Sequence, residues 1–96
     1  MIYKFYLITF NIAIYNYYTS LEQKLFEKFS IINNITKKNN NEKEYIINIY
    51  LNNVITIEKF SEIIEYIFSI LNNNINIDFN YIDNTKKRVL INKKSN

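Results

Sequence analysis

The sequence predicts an α+β fold: a two-layer sandwich, two helices on one face of a four-stranded mixed sheet, in the order βαβαββ. Three observations predict it. Two segments place apolar residues at helical spacing behind a threonine. Four others alternate apolar and polar residues or are apolar on both faces. The chain has 96 residues, no Gly or Pro and no linker-like stretch, so residues 1–96 form a single domain.

The first strand is expected over about residues 2–15. Its even positions are Tyr6, Ile8, Phe10, Ile12 and Ile14; its odd ones are Tyr3, Phe5, Leu7, Thr9 and Asn11. Apolar side chains on both sides suit a central strand. A hairpin turning near Thr9–Asn11 is the alternative, without a Gly to support it. The run is also apolar enough to resemble a signal or anchor. However, it lacks a small-residue cleavage site, Asn11 and Asn16 interrupt it, and Tyr, Ile, Phe and Thr favour strand. A cytoplasmic protein without a membrane partner is therefore the expectation.

Thr19 and Glu22 have the spacing of a capping box, and Leu21, Leu25, Phe26, Phe29 and Ile32 follow at helical intervals. The spacing predicts a helix over residues 20–33, then a polar loop at Lys37–Lys43. Residues 45–55 read as the second strand, with Tyr45, Ile47, Ile49 and Leu51 on one face and Ile46, Asn48 and Tyr50 on the other. Thr56 caps the second helix, whose stripe is Ile57, Phe60, Ile63, Ile64, Ile67, Phe68 and Leu71. Ile75, Ile77, Phe79 and Tyr81 alternate with Asn76, Asp78 and Asn80 as the third strand. Residues 83–86 make a turn and residues 88–92 a short fourth strand.

Composition limits the chemistry. Ile, Asn, Lys, Tyr and Phe supply 65 of 96 residues, and all have AT-rich codons. An AT-rich genome, such as that of a phage or other mobile element, explains this, and it makes any single Asn or Tyr weak evidence of function. Without His or Cys there is no Ser–His or Cys–His nucleophile and no thiolate zinc site. Without Gly, phosphate-cradling loops of the P-loop or dinucleotide type are excluded. Glu58, Glu62 and Glu65 lie opposite the apolar stripe and read as a solvated helix face. Asp78, between Asn76 and Asn80, reads as part of a polar strand face. No catalytic, metal or cofactor site is expected, and the chain is not expected to be an enzyme.

Two surfaces remain. The open sheet face is expected to carry Tyr3, Phe5 and Leu7, Ile46 and Tyr50, and Ile82 and Leu90, interspersed with Asn48, Asn52, Asn76, Asp78 and Asn80. Monomers seldom leave such a patch bare, and aromatic side chains are favoured anchors. Tyr3, Phe5, Ile46, Tyr50 and Asp78 are accordingly the candidate partner-binding residues. They would serve a small non-enzymatic module that binds a protein partner or a second copy, for example a phage or mobile-element inhibitor of anti-defence type that occludes a host protein. The alternative is single-stranded RNA or DNA stacked on Tyr3, Phe5 and Tyr50, with Lys37, Lys38, Lys86, Lys87 and Arg88 contacting phosphates. Against it, the expected topology puts these cations at two poles, and the net charge is only +3. The expected strand order also differs from the βαββαβ of RRM-type domains.

Overall fold

β1 (Leu7–Ala13) lies at the centre of the sheet, between two strands that follow it much later in sequence. The computed structural model describes residues 6–17, 19–71, 76–83 and 88–94. After β1 come a 3-10 turn (Ile14–Asn16), α1 (Ser20–Lys28), β2 (Ile32–Asn39), β3 (Glu44–Leu51), α2 (Ile57–Leu71), β4 (Asn76–Ile82) and β5 (Arg88–Lys94). The sheet has five strands in the order β2-β3-β1-β4-β5, and every neighbouring pair is antiparallel.

The α+β class stands. The expected four-stranded mixed sheet is corrected to a five-stranded antiparallel one. The added strand is β2, which occupies residues expected to end a helix and form a loop. β1 and β2 run the same way, as do β3 and β4. In each case an antiparallel strand sits between them, so each helix connection is a split βαβ unit. The first six elements therefore run βαββαβ, the order the sequence reading set aside, and β5 extends the β4 edge.

A bulge explains the missed strand. Ile32 pairs with Leu51 but Asn34 pairs with Tyr50, so one extra residue interrupts the register. Ile32 and Ile35 are thus both buried at a spacing of three, which imitates a helix. α1 ends at Lys28, and Phe29 is already extended at φ −125°, although its ring still enters the core. The expected capping box at Thr19 does not form: Thr19 makes no side-chain cap, and the Tyr17 hydroxyl donates to the Glu22 carboxylate instead. At α2 the expected cap is present, with the Lys59 N–H donating to Thr56 Oγ1 at 3.1 Å.

Asparagine carries turns that glycine would usually carry. Between β2 and β3, Asn41 Oδ1 accepts the Lys43 N–H at 2.8 Å, and the Asn40 N–H donates to the Glu44 carbonyl at 3.0 Å. β1 is unbroken through Thr9–Asn11, so no hairpin turns there. Residues 2–5 of the expected long strand lie outside the described residues.

One strand face is dry. Ile8, Phe10 and Ile12 of β1, Ile47, Ile49 and Leu51 of β3, and Ile77, Phe79 and Tyr81 of β4 are buried beneath both helices. Leu21 and Leu25 of α1 and Phe60, Ile63, Ile64, Ile67 and Leu71 of α2 complete this core. The Phe10 and Phe79 rings meet at 4.8 Å between centroids. Among the described residues no helix is long and apolar enough to cross a membrane.

Candidate functional site: the open sheet face

Opposed residues of an antiparallel pair share a face, so the register maps the other side of the sheet directly. One row across all five strands reads Asn34, Tyr50, Leu7, Ile82 and Arg88. The next reads Thr36, Asn48, Thr9, Asn80 and Leu90. A third begins Lys38, Ile46, Asn11. None of these side chains is buried, and Leu90 is 58% exposed, because both helices lie on the opposite face.

The face is therefore chemically banded. Tyr50, Leu7 and Ile82 form an apolar row on the three inner strands. Asn48, Thr9 and Asn80 form a band of hydrogen-bonding groups beside it. Towards the β5 edge the amides are knitted together. Asn92 Nδ2 donates to Asn76 Oδ1 and to Asp78 Oδ1, both at 2.7 Å, and Arg88 Nε donates to Asn80 Oδ1 at 3.1 Å. A shallow depression of about 440 Å3 lies in this half, lined by Thr9, Asn11, Asn76, Asp78, Asn80 and Arg88, among others.

Ile46, Tyr50 and Asp78 all fall on this face, as expected, with Leu7, Ile82, Leu90, Asn48, Asn76 and Asn80. Asn52 does not: it lies past the end of β3, where its N–H donates to the Ile31 carbonyl at 2.8 Å. Tyr3 and Phe5 lie outside the described residues. So do Lys86 and Lys87.

The described cations of these clusters stand at two poles, as expected: Lys37, Lys38, Lys93 and Lys94 at one end of the strands and Arg88 at the other. They also lie on the two outer strands of the sheet. Lys38 on β2 and Arg88 and Lys94 on β5 flank the open face, while Lys37 and Lys93 turn to the helix side. Lys37 does not lie in a loop. It is on β2, its Nζ 4.8 Å from the ring centroids of both Tyr17 and Tyr45. Lys93 Nζ lies 2.8 Å from Glu65 and 5.5 Å from the Phe68 centroid. The bulge hides Asn34 and Thr36 from the sequence pattern by disguising their strand. Thr9 and Asn11 were signalled by their alternation with Leu7.

Two hydroxyls on the helix side have raised pKa values. Burial, then the hydrogen bond to the Glu22 carboxylate and the negative charge there, push Tyr17 well above the ordinary tyrosine range. Burial also raises Tyr81, partly offset by the Ile55 N–H that it accepts. Both groups favour the neutral phenol and serve the structure. No family model, no curated protein and no solved structure matches this chain.

Proposed function

We propose that this chain is a small non-enzymatic module that binds a partner protein on its open sheet face and acts by occluding it, as a phage or mobile-element inhibitor would. The observation that carries the reading is the apolar row of Tyr50, Leu7 and Ile82 on a face opposite both helices, bordered by asparagines and then by charge. An apolar centre with a polar rim is the usual anatomy of a protein interface, and Tyr is among its favoured anchors.

Affinity capture from the native host, with mass and nucleic-acid readouts, tests this directly. Tyr50→Glu and Ile46→Glu place charge on the open face and should abolish capture of a stoichiometric protein partner. Far-UV circular dichroism should be unchanged, because neither side chain belongs to the buried core. Undiminished capture by a folded Tyr50→Glu variant would overturn the reading.

A second reading has its own support. The βαββαβ order removes the strand-order objection to single-stranded nucleic acid, and Lys38 and Lys94 at one end and Arg88 at the other border a face that bears Tyr50. Its signature is salt dependence: binding of a labelled oligonucleotide should weaken steeply with salt, and Lys38→Gln with Arg88→Gln should flatten the slope by about two counterions.

A further inference from the structure

The sheet has two outer edges, and they are built differently. β2 is protected twice. Its bulge between Ile32 and Asn34 breaks the regular spacing of backbone groups that an incoming strand would need. Lys37 is folded over Tyr17 and Tyr45 on its helix side. β5 has no such interruption. Seven consecutive pairs, from Asn76 with Lys94 to Ile82 with Arg88, hold it in straight register with β4. Alternate residues of such a strand direct their N–H and C=O groups away from the sheet.

The charges on β5 select what could pair there. Arg88 and Lys94 are both exposed and stand at opposite ends of the strand on the open face, with exposed Leu90 between them. Lys93, on the helix side, already has Glu65 as a partner at 2.8 Å. A second copy of β5 added antiparallel about Ile91 would set each Arg88 against the other copy's Lys94. Like charges directly opposed across strands are destabilising, so this edge resists self-association. The same two cations would favour a strand with carboxylates at matching positions.

We propose that the outer edge of β5 accepts an acidic extended segment of a partner protein as a sixth, antiparallel strand. Backbone hydrogen bonds supply the attachment. Carboxylates opposite Arg88 and Lys94, with an apolar side chain opposite Leu90, supply the selectivity. This goes beyond docking on the open face and does not depend on it, since β1 and β4 separate β5 from Tyr50.

The test uses the full chain and the labelled peptide Glu-Thr-Thr-Val-Ile-Thr-Glu, with a control in which both Glu are Lys. Fluorescence anisotropy should show the Glu peptide binding about tenfold more tightly, with a preference that shrinks as salt rises. In the doubly substituted Arg88→Glu, Lys94→Glu chain, checked for fold by circular dichroism, the preference should reverse. Two further Glu peptides, N-methylated on odd-numbered or on even-numbered amides, separate strand addition from loose charge attraction. One must lose binding and the other retain it, because only alternate amides face β5. Equal binding of the Glu and Lys peptides, or equal binding of the two methylated peptides, would overturn the proposal. Tyr50→Glu should leave peptide affinity unchanged while abolishing face docking, so either reading can fail alone.

Discussion

The Tyr81 hydroxyl accepts the backbone N–H of Ile55 at 3.1 Å, tying β4 to the segment that enters α2 across 26 positions of sequence. The Tyr81 ring also packs on Phe60, the first buried residue of that helix, at 5.7 Å between centroids. Tyr81→Phe keeps the ring and removes the acceptor. It should lower stability by about 1 kcal/mol, read as a lower urea midpoint with an unchanged m-value.

Tyr17 and Tyr81 also predict an alkaline limit. Both have raised pKa values in the folded chain, so the fold holds their protons more tightly than the unfolded chain does. Their contribution is complete below the unfolded tyrosine value of about 10 and is lost as pH climbs through the folded values. Unfolding free energy should therefore fall as pH rises above about 10. The double variant Tyr17→Phe, Tyr81→Phe should fall less steeply than the parent over the same range. Parallel curves for the two proteins would contradict this assignment.

Phe10 and Phe79 hold the middle of the core, on neighbouring strands, with rings tilted by 48°. Phe79 is wholly buried, so Phe79→Ala should cost about 3–5 kcal/mol, enough to unfold much of a domain this small. Combined with Phe10→Leu in a double-mutant cycle, the pair should show a coupling of about 0.5–1.5 kcal/mol beyond the loss of buried area.

Lys37 serves stability through its cation rather than through a salt bridge. Its ammonium stands over two tyrosine rings that themselves meet edge to face at 5.5 Å. Lys37→Gln should cost about 1 kcal/mol, and Lys37→Arg should restore most of it. In a variant carrying both Lys37→Val and Lys38→Thr, the β2 edge also loses its charge. Light scattering should then show concentration-dependent association that the parent lacks.

The legible parts of this chain were those whose periodicity was undisturbed. β3 and β4 alternate cleanly, so Ile46, Tyr50 and Asp78 could be assigned to the open face from spacing alone. The α2 stripe and its Thr56 cap were equally plain. β2 was not, for two local reasons. Its bulge gives Ile32 and Ile35 a helical interval, and as an edge strand it continues into Lys37, Lys38 and Asn39, which read as loop. Phe29 compounded this by burying its ring just beyond the end of α1. Losing one edge strand changed the inferred order from βαββαββ to βαβαββ and placed Lys37 and Lys38 in a loop rather than on a strand edge. The Thr19 motif does not form because Thr19 already has helical backbone angles, φ −62° and ψ −29°, and Glu22 accepts from the Tyr17 hydroxyl instead.

The central place of β1 has a consequence for how the protein is made. The strand leaves the ribosome before either of its partners, β3, ending at Leu51, and β4, ending at Ile82. At bacterial-to-eukaryotic elongation rates it waits roughly 3–14 s for the second of them. Ile8, Phe10 and Ile12 have no completed sheet to enter until β4 has been synthesised. Folding is thus dominated by distant pairings and slow for the length of the chain. In the cell, nascent β1 is the natural client for a chaperone, and a truncation before β4 would leave that strand with only one neighbour.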